Sequence, residues 1–378
     1  LENLPIVNSP INITKIEVWV TNRGAATTEN RNIVALLDLG EQDVYSENLF
    51  VPGPTAFPDN NASNDVLSVL MPPGSTDSLK MRDINQVSTY LKDEKGLTAG
   101  IHYEKVESAR KLNQHEYTFN PQLGFISLTR RLNPDEVLAV AFQYQVIGDN
   151  NVYQVGEFSN GGITGSDNLV LKLLRSTNID TEVPTWDLMM KNVYWLGSYQ
   201  INSEDFRLNV VYSNDQEGVS MGYLTETEIS GIPLIEVLNC DNLNTMQEPY
   251  PDGVFDFVDN AAIGGGTVQA SNGRVYFPVV EPFGDFLKSK MSSSEDQERY
   301  VFEELYDQTK TDAQQLPQKN KYYLEGLYKS ASGSEINLGG FNIPQGSVKV
   351  SAGGIVLQEN VHYTVDYTLG RVRIIDCC

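Results

Sequence analysis

Apolar and polar residues alternate over many short stretches of this sequence. Residues 11–20 (INITKIEVWV) alternate near the start, and residues 363–367 (YTVDY) do so near the end. A period of two gives one apolar and one polar face, which is typical of half-buried β-strands. Gly370 tolerates the positive φ of a tight turn, and Val372 restarts the alternation, so this segment predicts a β-hairpin.

The hairpin pattern recurs earlier in the chain. Residues 117–128 (YTFNPQLGFISL) again combine an aromatic strand, a turn that contains Leu-Gly, and an aliphatic return. The start of the closing hairpin, His362-Tyr363, is also echoed by His102-Tyr103, so each of these histidines stands directly before a tyrosine in an equivalent place. We therefore predict that both histidines mark the start of strands and are not ligand-binding or catalytic residues.

Other segments add further strands. Residues 33–37 (IVALL) are a continuous apolar run, which indicates either a strand buried on both faces or a short core helix. Strong strand patterns also cover residues 136–146, 168–174 and 206–212. The sequence therefore predicts a mainly β fold, with two or three β-sandwich-like modules, β-hairpin repeats and a minor helical insertion.

Two segments predict helices. Residues 292–315 form the stronger one, because Ser294 can cap the helix, acidic residues follow it, and Pro317 stops the pattern. Residues 78–94 form the weaker one. Residues 41–78 are rich in Pro, Asn, Asp and Ser and predict a long loop.

The length of 378 residues is too great for one ordinary core and favours two or three domains. We predict a β-sandwich-like module over residues 1–147. A second β module with the helical insertion near 292–315 covers residues 148–330. Residues 331–378 then form a C-terminal β-hairpin segment that leads toward a missing remainder of the protein.

The charge of the chain argues against one class of partner. Fifty acidic residues against 27 basic ones give a formal net charge of −23. Such a field repels a phosphate backbone, so nucleic acid is not an expected partner. The charge is explained by solubility, or by an acidic surface that meets basic or divalent-cation-rich surroundings.

The three cysteines do not form a zinc site. Cys240, Cys377 and Cys378 lack the spacing of zinc ligands, and a disulfide framework is not supported. We expect Cys240 to be a small buried hydrophobic residue and the adjacent terminal pair to be a cut end. The start at Leu1, without a leader-like segment, indicates a piece excised from a larger protein or already processed.

One acidic segment has some metal-ligand character. In residues 251–260 (PDGVFDFVDN), Asp252, Asp256 and Asp259 could supply oxygen ligands to Ca²⁺ from a turn. An EF-hand loop would need closer ligand spacing and a Glu at its twelfth position. The sequence favours a structural turn followed by a strand, with Ca²⁺ as the alternative, and predicts no other cofactor.

No catalytic constellation is visible. The chain has only three histidines and lacks the G-x-S-x-G, P-loop and H-E-x-x-H motifs, so we do not expect an enzyme. Trp186 and Trp195 are expected to pack in the core or at strand ends. The alternative function is a surface carbohydrate-binding or adhesin β-sandwich module that uses Trp19, Trp186 or Trp195 as its ligand face.

Long segments of the chain resemble one known family. They comprise residues 13–23, 32–41, 251–257, 273–284 and 344–350, and the closing segment 363–372 (YTVDYTLGRV). Across nearly its whole length the chain resembles the SprA/Sov family, the large outer-membrane translocon of type 9 secretion. The family is a very large single-chain pore, which works with lipoprotein and outer-membrane partners.

The resemblance implies a non-enzymatic role in the export of folded cargo proteins and, in some bacteria, in gliding. The chain lacks the series of alternating segments of about ten residues that would form the wall of the pore. We therefore expect a soluble, extramembrane part of the translocon, associated with the outer membrane at its cell-surface or periplasmic face. Its expected role is that of a cap, plug or docking surface. Its expected partners are the remainder of the pore, the outer-membrane and lipoprotein components, and the cargo.

Overall fold

The computed structural model describes residues 9–24, 29–47, 60–214, 218–259, 266–330, 335–338, 342–352, 355–368 and 370–374. The fold is mainly β, with 31% of residues in strands and 14% in helices, and most strand pairs are antiparallel. The prediction of a mainly β fold with short helical parts is therefore confirmed.

The strands, in chain order, are β1 (Ile11–Val20), β2 (Asn30–Leu36), β3 (Tyr103–Lys111), β4 (Tyr117–Asn120), β5 (Phe125–Leu128), β6 (Leu138–Val146), β7 (Tyr153–Val155), β8 (Leu169–Arg175), β9 (Val193–Trp195), β10 (Ile201–Asn214), β11 (Val219–Met221), β12 (Val268–Gln269), β13 (Arg274–Tyr276), β14 (Tyr322–Ser330), β15 (Glu335–Asn337), β16 (Ser351–Ala352), β17 (Ile355–Val356), β18 (Tyr363–Asp366) and β19 (Arg371–Ile374).

The helices are short. They are α1 (Val66–Leu70), α2 (Thr76–Arg82), α3 (Val87–Thr89), α4 (Leu234–Val237), α5 (Asp285–Lys288), α6 (Ser294–Tyr300), α7 (Glu304–Asp307) and α8 (Lys310–Gln314). A 3-10 turn covers Asn60–Ala62, and α3 continues directly into a π-helical turn over Tyr90–Glu94.

The described residues fall into two compact units. The first unit comprises those of 7–191 together with Glu303–Gln314, and the second comprises those of 192–302 and 315–378. The module predicted over residues 1–147 would lack β7 and β8. Both strands pair with strands of the first unit, β7 with β6 and β8 with β2 and β6, so this unit extends to Lys191.

The first unit is built on a sheet that closes on itself. Its strand order is β1-β3-β2-β8-β6-β7, and β1 also pairs with β6, which joins the two sides of the sheet. The β2–β8 pair is parallel, whereas the other pairs in this sheet are antiparallel. A closed sheet leaves few free backbone edges and encloses a core.

Strand β2 separates two hydrophobic clusters. Ile33 and Ala35 belong to one cluster with Trp19 of β1, while Val34 and Leu36 belong to another, which the short helices cover. All of these side chains are buried. The interpretation of residues 33–37 as a strand buried on both faces is confirmed, and the alternative of a short core helix is wrong.

The second unit contains smaller sheets. Their strand orders are β11-β10-β14, β12-β13-β9 and β15-β19-β18, and β16 pairs with β17. The predicted closing hairpin is present, with Tyr363 opposite Ile374 and Asp366 opposite Arg371. Gly370 has a φ of +64°, as the turn requires.

The helix predicted over residues 292–315 is wrong in its length. The structure has α6, α7 and α8 instead, with Ser293 accepting the capping hydrogen bond from Asp296. Val301 adopts an extended conformation, and the next N–H, of Phe302, bonds to the carbonyl of Phe283. Tertiary backbone pairing therefore overrides the helical pattern at this point.

The other helical segment also differs from its prediction. Ser75 caps α2, which ends at Arg82 because Asp83 is extended, so residues 78–94 are not one helix. The predicted loop over residues 41–78 contains α1 and the 3-10 turn among its described residues. The sequence did not predict α1, because only two of its five residues, Val66 and Leu70, are buried, which is too few to give a helical pattern.

Candidate functional site

The acidic segment around Asp252 forms a hydrogen-bonded loop. The Asp256 carboxylate accepts from the N–H of Asn242 at 2.6 Å and from that of Leu243 at 3.1 Å. Asp241 accepts from the N–H groups of Asp252 and Gly253, at 2.9 and 2.8 Å. These two carboxylates hold the loop in place by accepting hydrogen bonds from backbone N–H groups.

The same loop contains one titratable group with a perturbed pKa. Burial raises the pKa of Asp256 to about 6, and the nearby charges of Asp241 and Asp252 add to this rise against the two backbone N–H donors. A buried carboxylate with acidic neighbours resists ionisation. Asp256 therefore carries a charge at neutral pH at a cost in folding free energy.

The structure assembles the predicted acids only in part. Asp252 and Asp256 share the loop with Asp241, whereas Asp259 forms an isolated bridge to Val268. Within the described ranges, no group of three His, Cys, Asp or Glu side chains has an arrangement that could hold a metal ion. The sequence analysis missed Asp241, whose Asp-Asn pair after Cys240 is a turn signal.

The turns at His102 and His362 are held by the same kind of hydrogen bond. The Nδ1 atom of His102 accepts from the N–H of Thr98 at 3.0 Å, and that of His362 accepts from the N–H of Gln358 at 3.0 Å. β3 begins at Tyr103 and β18 at Tyr363, directly after these residues. The prediction that both histidines stand at strand starts is confirmed.

The three tryptophans have different environments. Trp19 is fully buried, and the indole of Trp186 donates to the carbonyl of Tyr306 at 2.6 Å. Trp195 ends β9 with 60% of its surface exposed, and its ring centroid lies 6.2 Å from that of Tyr199. Trp19 therefore cannot act as a stacking surface for a sugar, whereas Trp195 can.

Cys240 is fully buried, as predicted, and burial raises the pKa of its thiol well above the ordinary value. A protonated, buried thiol is a poor nucleophile. Cys377 and Cys378 lie outside the described residues. The described cysteine therefore offers packing and no reactive group.

One open feature of the second unit is the outer edge of β14. This strand is nine residues long and pairs with β10 on one side, while no described strand pairs with its other side. The N–H of Ser213 donates to the carbonyl of Lys321 at 2.9 Å. Lys321 therefore turns its backbone groups toward β10. Because this orientation alternates along an antiparallel strand, the backbone N–H and C=O groups of Tyr322, Leu324 and Gly326 turn away from β10.

The side chains of this edge are largely apolar. Tyr323 and Leu327 lie on one face with 53% and 72% of their surfaces exposed, and the exposed Glu325 lies between them on the same face. Tyr328 is also exposed, and its hydroxyl lies 3.5 Å from the carbonyl of Leu196, next to Trp195. We call the outward backbone groups of β14 and the side chains of Tyr323, Leu327 and Tyr328 the β14 edge. An unpaired apolar edge of this kind can receive another extended strand.

The sequence analysis did not identify β14. The signal was present, since residues 322–328 (YYLEGLY) are rich in the aromatic and aliphatic residues that favour strands. Gly326 interrupts the pattern. A Cβ atom at this position would lie 2.1 Å from the carbonyl oxygen of Arg207, so only glycine permits the close approach of β10 and β14.

Comparison with known proteins adds no family assignment. Neither a known family model nor a curated protein sequence matches this chain. Among the described residues, no helix combines the length and apolar character needed to cross a bilayer.

Proposed function

We propose that this chain is an extramembrane part of a large outer-membrane protein-translocation pore of the type 9 secretion class. In this role it is a cap, plug or docking surface that supports protein export and, in some bacteria, gliding. Its partners are the remainder of the pore, the outer-membrane and lipoprotein components of the system, and the exported cargo. The proposal starts from the resemblance of its long segments to the SprA/Sov family.

The observation that supports a protein-binding role is the β14 edge. Its outward backbone groups offer hydrogen bonds to any extended segment, and Tyr323, Leu327 and Tyr328 offer apolar contact. The occupant that fits is an extended strand of another component of the pore. A non-enzymatic role also agrees with the chemistry of the loop at Asp256, whose carboxylates bind backbone N–H groups.

The decisive experiment uses the full-length protein in its own bacterium. An in-frame deletion of this chain should abolish cargo export and partner binding. The double variant Tyr323→Lys/Leu327→Lys should weaken partner binding, because two charges would be placed on the contact face. Leu79→Lys is the matched control, since Leu79 is 71% exposed on α2 of the first unit. Unchanged export and partner binding after the deletion would refute the proposal.

A second candidate is supported by Trp195. Its ring is exposed next to Tyr199, and two exposed aromatic rings suit stacking on the apolar face of a sugar. A glycan array with and without Ca²⁺ tests this carbohydrate-binding role. Binding that is lost in Trp195→Ala would favour it over translocation, and absence of binding by the unmodified chain would remove it.

A further inference from the structure

An open cavity of about 330 Å³ at the surface of the first unit has three arginines among its seven lining residues. Arg23, Arg110 and Arg130 surround it together with Glu136, Thr21, Asn22 and Gly24. The size is at the lower end for small-molecule sites. The cavity belongs to the end of β1 and its neighbouring strands, remote in sequence from Asp256 and β14.

The local charge contrasts with that of the whole chain. Arg131 adjoins Arg130, and the Nη1 atom of Arg175 donates to the carbonyls of Asn133 and Glu136 at 2.7 and 2.6 Å. Arg131 and Arg175 do not line the cavity, and the three lining arginines are matched by three acids, Asp135, Glu116 and Glu136, with which they pair. A region with equal numbers of cations and acids stands out in a chain of net charge −23.

Each lining arginine has N–H donors that its ion pair does not use. Arg23 uses Nη2 for Asp135, and Arg110 uses Nη1 for both oxygens of Glu116, at 2.9 and 2.7 Å. Arg130 uses Nη2 for Glu136 at 2.7 Å. A guanidinium has five N–H donors, so each side chain retains donors that these bonds do not use. Such planar donors suit the oxygens of carboxylates and phosphates.

The base of the cavity is held firmly. Glu136 is fully buried, and its carboxylate also accepts from the backbone N–H of Asn133 at 2.6 Å. This network orients one end of the Arg130 guanidinium, while the Arg130 side chain stays 59% exposed. A site that is already ordered loses less conformational entropy on binding.

We propose that this cavity binds a small dianion, either a phosphate monoester or a dicarboxylate. The unused donors of three guanidinium groups match the several oxygens of a dianion, and the volume fits a ligand of a few carbon atoms. The proposal is independent of the translocation role and of the β14 edge.

Calorimetric titration of the whole chain at pH 7.5 and constant ionic strength tests this proposal. Glycerol 2-phosphate and malonate serve as the dianions, and acetate serves as the monoanion. At least one dianion should bind saturably and at least tenfold more tightly than acetate, and the better of the two identifies the ligand class. No saturable binding, or equal binding of acetate, would overturn the proposal.

Arg23→Gln should weaken binding of the dianion at least tenfold. Arg23 and Asp135 are both about half exposed, so loss of this pair should leave the fold intact. Arg207→Gln on β10 is the matched control and should bind as the unmodified chain does. The double variant Arg130→Gln/Glu136→Gln removes a second cation without leaving a buried charge unpaired. Unchanged affinity in both cavity variants would overturn the proposal.

Discussion

The two units of this chain use different means to hold their strands. In the first unit a closed sheet encloses a buried cluster around Trp19, and short helices cover its outer side. In the second unit the described sheets have two or three strands, and the loop at Asp256 is held by carboxylates that accept from backbone N–H groups. Both units bury many apolar side chains, so they differ in the extent of their sheets and in the carboxylate-held loop of the second unit.

The largest expected effect tests the buried core of the first unit. Trp19→Ala should lower the free energy of unfolding by about 3–5 kcal/mol, because it leaves a large cavity. Hydrogen exchange in the whole chain should show loss of protection in β2 and β6, with β10 protected as before. Equal loss in both units would contradict the independence of the two cores.

Trp19→Phe is the matched control for this variant. It retains an aromatic ring and removes the indole Nε1–H, which is buried without a hydrogen-bond partner among the described residues. The cost should be below about 1.5 kcal/mol, since most of the volume is kept and an unpaired donor is lost. A cost as large as that of Trp19→Ala would show that the indole has a role beyond filling space.

The next effect tests backbone geometry in the second unit. Gly273 has a φ of +65°, and a Cβ atom would lie 1.8 Å from the carbonyl oxygen of Ser198. Gly273→Ala should cost more than about 2 kcal/mol, because it combines a left-handed conformation with a clash. Thermal unfolding measures this loss.

Gly74 offers a control in the first unit. Its φ is +70°, but a Cβ atom would meet nothing within 4 Å. Gly74→Ala should therefore cost only about 1 kcal/mol, from the left-handed conformation alone. Equal costs at Gly273 and Gly74 would show that the backbone at Ser198 can move away.

A smaller expected effect is a difference between the two units in how their stability depends on pH. The pKa of Asp256 is raised to about 6 in the folded state, above its unfolded value, so the folded state binds the proton more tightly. Asp256 should lower the stability of the second unit as pH rises from about 4 to 6, by about 1–2 kcal/mol after allowance for solvent screening. Asp256→Asn, which keeps an oxygen acceptor, should remove this dependence in urea unfolding curves.

The first unit should respond to acid in the opposite sense. The Arg110 guanidinium lowers the pKa of Glu116 to about 2, below its unfolded value. Its contribution is present above the unfolded pKa and is lost as pH falls through about 2. Hydrogen exchange at pH 4 and pH 7 should thus show the second unit gaining protection on acidification. If both units gained protection, the net charge of the whole chain, and not Asp256, would be the cause.

The smallest expected effect concerns the β14 edge. Leu327→Lys should change stability by less than about 0.5 kcal/mol, because Leu327 is 72% exposed. Leu208→Lys on β10 is the contrasting variant, since Leu208 is buried and its charge would be left unpaired. A large loss with Leu327→Lys would mean that this side chain stabilises the unit itself, and the docking experiment would need another residue.

Local patterns predicted local structure well. The His-Tyr pairs predicted two equivalent strand starts because the turn is made by neighbouring residues, with Nδ1 of His102 and His362 accepting from the residue four positions earlier. The apolar run at residues 33–37 indicated either a doubly buried strand or a short core helix, and pairing of β2 with β3 and β8 decides for the strand. For the two histidines the deciding contacts follow from the spacing of a few residues.

Long-range contacts were not predictable from these patterns. The helix over 292–315 is interrupted where Phe302 pairs with the carbonyl of Phe283. The convergence of Arg23, Arg110 and Arg130 depends on strand pairing between distant segments. Asp241 was missed because its partners, the N–H groups of Asp252 and Gly253, lie eleven and twelve positions further along the chain.

The closed sheet of the first unit has a consequence for the order of events during synthesis. β2 and β8 form the parallel pair, and the chain between them is about 135 residues long. At about 5–20 residues per second, β2 is made roughly 7 to 27 seconds before its parallel partner β8, although its antiparallel partner β3 follows sooner. One edge of β2 therefore stays unpaired during this interval, so we expect a holding chaperone to bind this unit until β8 has been made.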